Sequence, residues 1–295
     1  MANTFRLDHN IEKFLKFMDL IKSASPLTIK HYTLDLGQAF HHEILTRQLS
    51  EDELMSHSRK ALSAWGHLSL ASRNRKAATL KSFFSWAFEE NLLERDLSLQ
   101  ITCPKVPKKI PHFISVDEAL SVLKILAEDA KHERDHLLFL LLYGGGLRVS
   151  EACQLKWSEV SISQRQIRVV GKGGKERVAV MPPISFKILE KFKKKSFDNE
   201  YVFGEAALNP RTAYEMIRQS GARAGLLQPL HPHALRHSFA THLLSSGANL
   251  RTLQELLGHE SLTATEKYTH LGIDQLARTM ERVHPLGNNK LKTGT

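Results

Sequence analysis

About a third of the way along the chain, Pro104-Lys-Val-Pro-Lys-Lys-Ile-Pro111 sets three prolines and three lysines within eight residues. Proline removes a backbone donor and clashes with the preceding helical turn, so this segment cannot continue a helix and should run extended. A chain of 295 residues is also long for one compact domain, because single hydrophobic cores stop growing near that size. Together these features predict two folded units, residues 1–103 and 113–295, joined by a linker over 104–112.

The first unit reads as helices with basic faces. Ser25-Pro26 has the order of an N-cap and an N1 proline, opening a helix over Leu27 to Phe40 in which Ile29, Tyr32 and Leu36 recur at helical spacing. Ser72 is read as the start of a second helix, with Leu80, Phe83, Phe84, Ala87 and Phe88 on an apolar face and Arg73, Arg75, Lys76 and Lys81 supplying positive charge. The aromatics read as core. The basic residues are either a solvated face or contacts to a polyanion.

In the second unit Ser115 and Glu118 have capping-box spacing, ahead of Leu120, Leu123 and Ala127 at i, i+3, i+7. Between Arg165 and Met181 the period changes: Ile167 and Val169, then Val178 and Val180, alternate about Gly171-Lys-Gly-Gly174, which predicts a β-hairpin. Helical patterns return beyond it. Lys191 to Lys195 reads as a solvated helix end and the residues from Asn288 as a polar tail. No internal repeat is visible. The expected fold class is mainly α with a small β-sheet.

Composition narrows the class of partner. A formal net charge of +10 and a pI near 9.6 favour a polyanion, because clustered Lys and Arg gain affinity by displacing condensed counterions. The longest apolar run, Leu137 to Tyr143, is too short to cross a bilayer, and charges occupy the N-terminus where a signal peptide needs apolar residues. A cytoplasmic location is expected, with no membrane partner. Cys103 and Cys153 belong to no Cys/His cluster and read as ordinary thiols.

Six polar residues of the second half carry the chemistry: Arg148, Lys172, His233, Arg236, His259 and Tyr268. Two arginines, a lysine, two histidines and a tyrosine can together hold a phosphodiester, neutralise its added charge, attack it and protonate its leaving group without a metal. Arg148 lies in Gly144-Gly-Gly-Leu-Arg-Val-Ser-Glu151, a glycine turn feeding a helix that Ser150 could cap. Lys172 stands at the tip of the expected hairpin, in Gly171-Lys-Gly-Gly-Lys-Glu-Arg177, and by spacing alone it and Lys175 read as solvated tip lysines. In His231-Pro-His-Ala-Leu-Arg-His237, Leu235, Phe239 and Leu243 face a core while His233 and Arg236 share another face.

An imidazole beside a guanidinium is a poor structural pair and a good phosphate site. Zinc on His233 and His237 is the rival reading, but Ala234 stands where a zincin carries its glutamate. His237 and His242 read as packed or surface histidines. Asn249 caps a helix that Gly258 ends, placing His259 just past the terminus, and Tyr268 lies in the polar stretch Thr263-Ala-Thr-Glu-Lys-Tyr-Thr-His-Leu271.

Taken in order, Gly-Leu-Arg148-Val-Ser-Glu, Gly-Lys172-Gly-Gly-Lys-Glu-Arg, His233-Ala-Leu-Arg236-His-Ser-Phe-Ala-Thr-His, Leu-Leu-Gly-His259 and Tyr268-Thr-His resemble the tyrosine recombinase (phage integrase) family, and within it the Xer branch. The helix with Phe83 and Phe84 and the Pro-Lys linker share the likeness, which spans nearly the whole chain. The resemblance implies a two-domain DNA clamp, with a helical N-terminal core-binding domain and a mixed α/β catalytic domain. By it Tyr268 is the nucleophile, Arg148 and Arg236 hold the non-bridging oxygens, and Lys172 is the general acid. His233 assists proton transfer and His259 hydrogen-bonds the phosphate. Arg73, Arg75, Lys76, Lys81 and Lys175 are candidate DNA contacts.

The same resemblance implies no metal and no cofactor. The expected partners are a double-stranded DNA recombination site, a homo- or hetero-tetramer with a second recombinase, and a possible FtsK-like DNA translocase. Residues from about Asp274 onward are the candidate segment for docking on a neighbouring protomer. The expected role is resolution of chromosome or plasmid dimers at cell division, the alternatives being a mobile-element integrase or a DNA-binding protein without cleavage. A metal-dependent nuclease would need clustered carboxylates, and no motif brings them together.

Overall fold

The computed structural model describes residues 5–22, 24–107, 113–170, 176–195, 199–257 and 270–287. The chain divides into two compact units, Met1–Lys109 and Ile110–Thr295.

The first unit is built on helices α1 (Leu7–Leu20), α2 (Pro26–Ala39), α3 (His42–Leu45), α4 (Glu51–Ala64) and α5 (Leu70–Glu89), with a short antiparallel pair β1 (Phe5–Arg6) and β2 (Gln48–Leu49). Ser25 caps α2 as its Ser-Pro order predicts, its hydroxyl accepting from Thr28 N at 3.1 Å. The core is aromatic: Phe14 meets Phe83 edge-on at 5.4 Å between ring centroids and lies 5.5 Å from Trp86.

Two expectations change on α5. Ser69, not Ser72, is the cap, because its hydroxyl accepts from Ser72 N at 3.3 Å and starts the helix at Leu70. Phe88 is exposed, and Trp86 takes its place in the core.

In the second unit α6 (Val116–Glu128) opens on the expected capping box, Glu118 N donating to Ser115 Oγ at 3.1 Å and Ser115 N to Glu118 Oε2 at 2.7 Å. Its buried face is Ala119, Val122, Leu123 and Leu126 rather than the predicted Leu120–Leu123–Ala127 row, so the helix is rotated by about one residue. The run Leu137 to Tyr143 is wholly buried. It belongs to α7 (Glu133–Phe139) and the π-helical turn Leu140–Gly144 that follows. No helix among the described residues is long and apolar enough to cross a membrane.

After α8 (Val149–Cys153), strands β3 (Val160–Ser161), β4 (Gln166–Val170) and β5 (Glu176–Val180) form an antiparallel sheet in that order. The β4–β5 pair is the predicted hairpin, in register Ile167↔Ala179 and Val170↔Glu176. β3 went unforeseen because two residues carry no period. Helices α9 (Pro183–Lys193), α10 (Pro210–Arg223), α11 (Pro232–Ser245), α12 (Leu250–Leu257) and α13 (His270–Val283) complete the unit. Leu235, Phe239 and Leu243 of α11 are fully buried, as their spacing predicts. Leu276, Met280 and Val283 of α13 pack in one cluster with Phe239, Leu253 and Leu257 of the same chain.

Candidate active site

The π-helical turn widens the end of α7 and delivers the chain into Gly145 and Gly146. Gly146 has φ +59°, and a Cβ there would stand 2.6 Å from the ring of Phe239 on α11. Glycine at this position therefore permits both the left-handed turn and the close approach to α11. Its carbonyl accepts a hydrogen bond from Arg236 Nη1.

Gly146→Ala adds about 1–2 kcal/mol of left-handed strain and a methyl that must displace a fully buried ring, for about 1–3 kcal/mol more. A midpoint lowered by an amount corresponding to about 2–5 kcal/mol is expected in denaturant melts. A shift under about 1 kcal/mol would show that the turn is not tight.

Arg148 is itself the N-cap of α8, a place the sequence assigned to Ser150. Glu151 at the third helical position accepts from Arg148 N at 2.7 Å and, through Oε1, from Arg148 Nη1 at 2.8 Å. Glu151 Oε2 also accepts from Arg177 Nη2 at 2.9 Å and lies 3.9 Å from Arg236 Nη1. The Glu151 side chain is 2% exposed, and burial by itself would raise its carboxyl. The charges of Arg177 and Arg236 and the two hydrogen bonds from Arg148 outweigh that and hold it below the usual carboxylate range.

Arg236 is anchored twice, on Gly146 O and, through Nη2, on Leu257 O at 2.9 Å. Burial first, then the charges of Arg148 and Arg177, bring its guanidinium down to about 10 against the opposing pull of Glu151, which leaves it charged at neutral pH. Its side chain is 14% exposed and that of Arg148 36%. Both retain a path to a ligand. Arg177 and Glu151 do not.

Three guanidiniums about one carboxylate leave two positive charges in excess in this group of described residues. A partly buried excess of that sign is suited to an anionic ligand. His233 lies one turn before Arg236 on α11 and is exposed. His231 caps the same helix, its Nδ1 accepting from Ala234 N at 3.1 Å. His242 is buried, with Nδ1 2.9 Å from the Tyr143 hydroxyl, and His237 meets Phe113 edge-on. Among the described residues no three His, Cys, Asp or Glu side chains are gathered as a metal ion would need.

Of the six residues singled out by sequence, the structure thus brings Arg148 and Arg236 to one carboxylate and sets His233 on the same helix as Arg236. Lys172, His259 and Tyr268, with Lys175, lie outside the described residues. Sequence reasoning assigned nothing to Glu151 or Arg177, although both stand in the quoted motifs, because their meeting depends on a separation of 26 residues. In the first unit Lys76 is turned inward. Its ammonium bonds Asp35 Oδ1 at 2.9 Å and lies 4.6 Å from the Trp65 ring centroid, so it leaves the set of candidate DNA contacts. Arg75 also binds Asp35, through Nη2 at 3.0 Å, but stays 41% exposed. Lys81 is exposed and Arg73 half-buried.

The model of the phage integrase family matches residues 112–274, and that of the phage integrase N-terminal SAM-like domain matches residues 11–91. The chain belongs to the phage integrase family and is a tyrosine recombinase, a site-specific DNA breaking and rejoining enzyme. Tyrosine recombinase XerC of Myxococcus xanthus is 34% identical to it, over 93% of this chain and 97% of that protein. Tyrosine recombinase XerD of Staphylococcus aureus is 33% identical, over 93% and 98%. Among solved structures, XerH site-specific recombinase bound to its difH substrate in a pre-cleavage complex superposes with a TM-score of 0.61 at 26% identity, covering 89% of this chain and 81% of that one.

Proposed function

We propose that this chain is a Xer-type recombinase that resolves chromosome or plasmid dimers by strand exchange through a 3′-phosphotyrosyl intermediate. The observation that carries the chemistry is the cluster of Arg148, Arg177 and Arg236 about Glu151, with its positive excess. A phosphodiester brings one negative charge, and the five-coordinate transition state of attack carries a second. A surplus of guanidiniums over carboxylates, as among these described residues, therefore favours the transition state over the ground state.

In this reading the Tyr268 hydroxyl oxygen bonds to the scissile phosphorus and the bond to the 5′-oxygen breaks. The phenolic proton leaves with help from His233, and Lys172 supplies a proton to the departing 5′-oxygen. Arg148 and Arg236 hold the non-bridging oxygens, and His259, two residues past the carbonyl that anchors Arg236, hydrogen-bonds the same phosphate. Rejoining is the reverse, with the bond energy kept in the phosphotyrosyl link, so neither a metal nor ATP has a step to perform.

The partner is a duplex recombination site, gripped by a core-binding domain over residues 1–103 and a catalytic domain over 113–295 with the linker 104–112 between them. A synaptic tetramer, of like protomers or with a second recombinase, is the proposed assembly. Arg73, Arg75, Lys81 and Lys175 are the basic residues proposed to meet DNA, and an FtsK-like translocase is the proposed activator.

The test uses wild-type protein and end-labelled nicked duplexes carrying candidate sites from the source replicon, in chelator. A protein–DNA adduct that survives denaturant, has freed a 5′-hydroxyl and maps to the peptide holding Tyr268 is the expected result. Sites that are occupied but never attached would instead leave a DNA-binding protein without cleavage.

A further inference from the structure

Arg177 has no place among the six residues, yet its buried guanidinium joins the Glu151 carboxylate to the end of α12. It lies on β5 opposite Val169, one residue beyond the Val170↔Glu176 pair that closes the hairpin. Lys172 precedes it by five residues in the sequence. Through Nη2 it donates to Glu151 Oε2 at 2.9 Å, the oxygen that also accepts from Arg148 N. Through Nη1 it donates to Leu256 O at 2.9 Å. The next carbonyl along, Leu257 O, is the one that anchors Arg236, and His259 follows two residues later.

Its side chain is 5% exposed, which removes it from any direct contact with DNA. Stability does not account for it either. Burying a charged pair costs desolvation that a hydrophobic pair of similar volume avoids, and such replacements are often neutral or stabilising. What the pair supplies is a fixed geometry. A planar fork with two anchors can hold a carboxylate and a helix end at a set distance from a strand, and a lysine or an apolar side chain cannot.

We propose that Arg177 is a positioning residue of the recombination reaction. It locks β5, Glu151 and the C-terminal end of α12 together, so that Arg148 and Arg236 meet one phosphate. The proposal rests on the catalytic reading above and assigns to that site a residue that acts only through others.

The test compares wild type, Arg177→Met and Arg177→Lys in full-length protein on two nicked substrates. One carries the ordinary scissile phosphate. The other carries a methylphosphonate there, which lacks the charged non-bridging oxygen and so depends less on the arginine clamp. A misplacement of about 1 Å costs about 100-fold in rate, so Arg177→Met is expected to slow adduct formation on the phosphate by about that factor. Its DNA affinity should stay within about threefold of wild type, since no phosphate contact is lost. On the methylphosphonate its deficit should shrink to about tenfold or less.

Arg177→Lys can reach Glu151 or Leu256 O but not both, and should fall between the other two on the phosphate. It also serves if Arg177→Met does not fold. Equal deficits on both substrates would mean a general loss of structure and overturn the proposal, as would wild-type rates for either variant on the phosphate. Failure of wild type itself to form an adduct on an occupied phosphate site is a different outcome, and overturns the catalytic reading instead.

Discussion

Tyr268→Phe is expected to abolish covalent attachment to DNA while leaving DNA affinity within about threefold of wild type, because it deletes one oxygen and no charge. The loss in adduct formation should be about 10⁴-fold or more, since removing a nucleophile removes the reaction path and not merely a stabilising contact. The other four of the five tyrosines make this a sharp test. Tyr143 is fully buried against His242, and burial pushes its phenol up, away from the easily ionised state a nucleophile needs. Tyr32 stacks on Phe14 at 5.8 Å in the first unit, and Tyr201 lies with the Lys156 ammonium 5.2 Å from its ring centroid. Tyr214 is 47% exposed on α10, next to the Glu215–Arg218 ion pair.

Tyr214→Phe is therefore the matched control, expected to form adduct at the wild-type rate. The readout is the labelled band retained in denaturing gels at single turnover. An adduct that survived Tyr268→Phe and vanished with Tyr214→Phe would move the nucleophile to α10.

Local signals carried much of the fold. The capping box at Ser115, the Ser25-Pro26 start of α2, the alternation of β4 and β5 and the buried row Leu235–Phe239–Leu243 all depend on residues within a few positions of one another, where helix and strand periods act directly. The misreadings were also local. Ser69 and Ser72 are both competent caps three residues apart, and only the observed bond to Ser72 N decides between them.

What the sequence could not reveal lies in long-range pairings. Lys76 looked like one more positive charge on a basic helix. Its partner Asp35 is 41 residues earlier, and that pairing turns the ammonium inward. Glu151 likewise read as the last letter of a motif. Its meaning comes from Arg177 and Arg236, brought in from 26 and 85 residues away, which turn a capping carboxylate into the hub of a cluster of arginines. Of the motifs of the resemblance, those around Arg148 and Arg236 come together among the described residues. The physics that makes them a site is visible only once the sheet and α11 have folded onto α8.

That architecture separates the two arginines held to bind phosphate. Arg236→Lys is expected to slow the covalent step by about 10²–10³-fold, the usual cost of losing a preorganised donor to a developing oxyanion. The charge survives this substitution, so DNA affinity should change little; geometry is what is lost. The Arg236 guanidinium spans Gly146 O and Leu257 O, which belong to the turn before α8 and the end of α12. With its plane fixed by two backbone carbonyls, its remaining N–H groups have a set direction.

An ammonium on a shorter stem can satisfy one of those carbonyls. The other is then left buried without its donor, at about 1–3 kcal/mol. Arg236→Lys should therefore lower the unfolding midpoint as well as the rate. Arg148→Lys should lower the rate with a smaller loss of stability, because the Arg148 side chain is 36% exposed and its bond is to Glu151, which keeps Arg177 and the Arg148 backbone N–H as donors. Parallel denaturant melts and single-turnover adduct rates on the two variants measure both quantities. Equal destabilisation by the two lysines would show that the carbonyl anchors of Arg236 contribute nothing to the fold, and an Arg236→Lys rate within threefold of wild type would remove Arg236 from the transition state altogether.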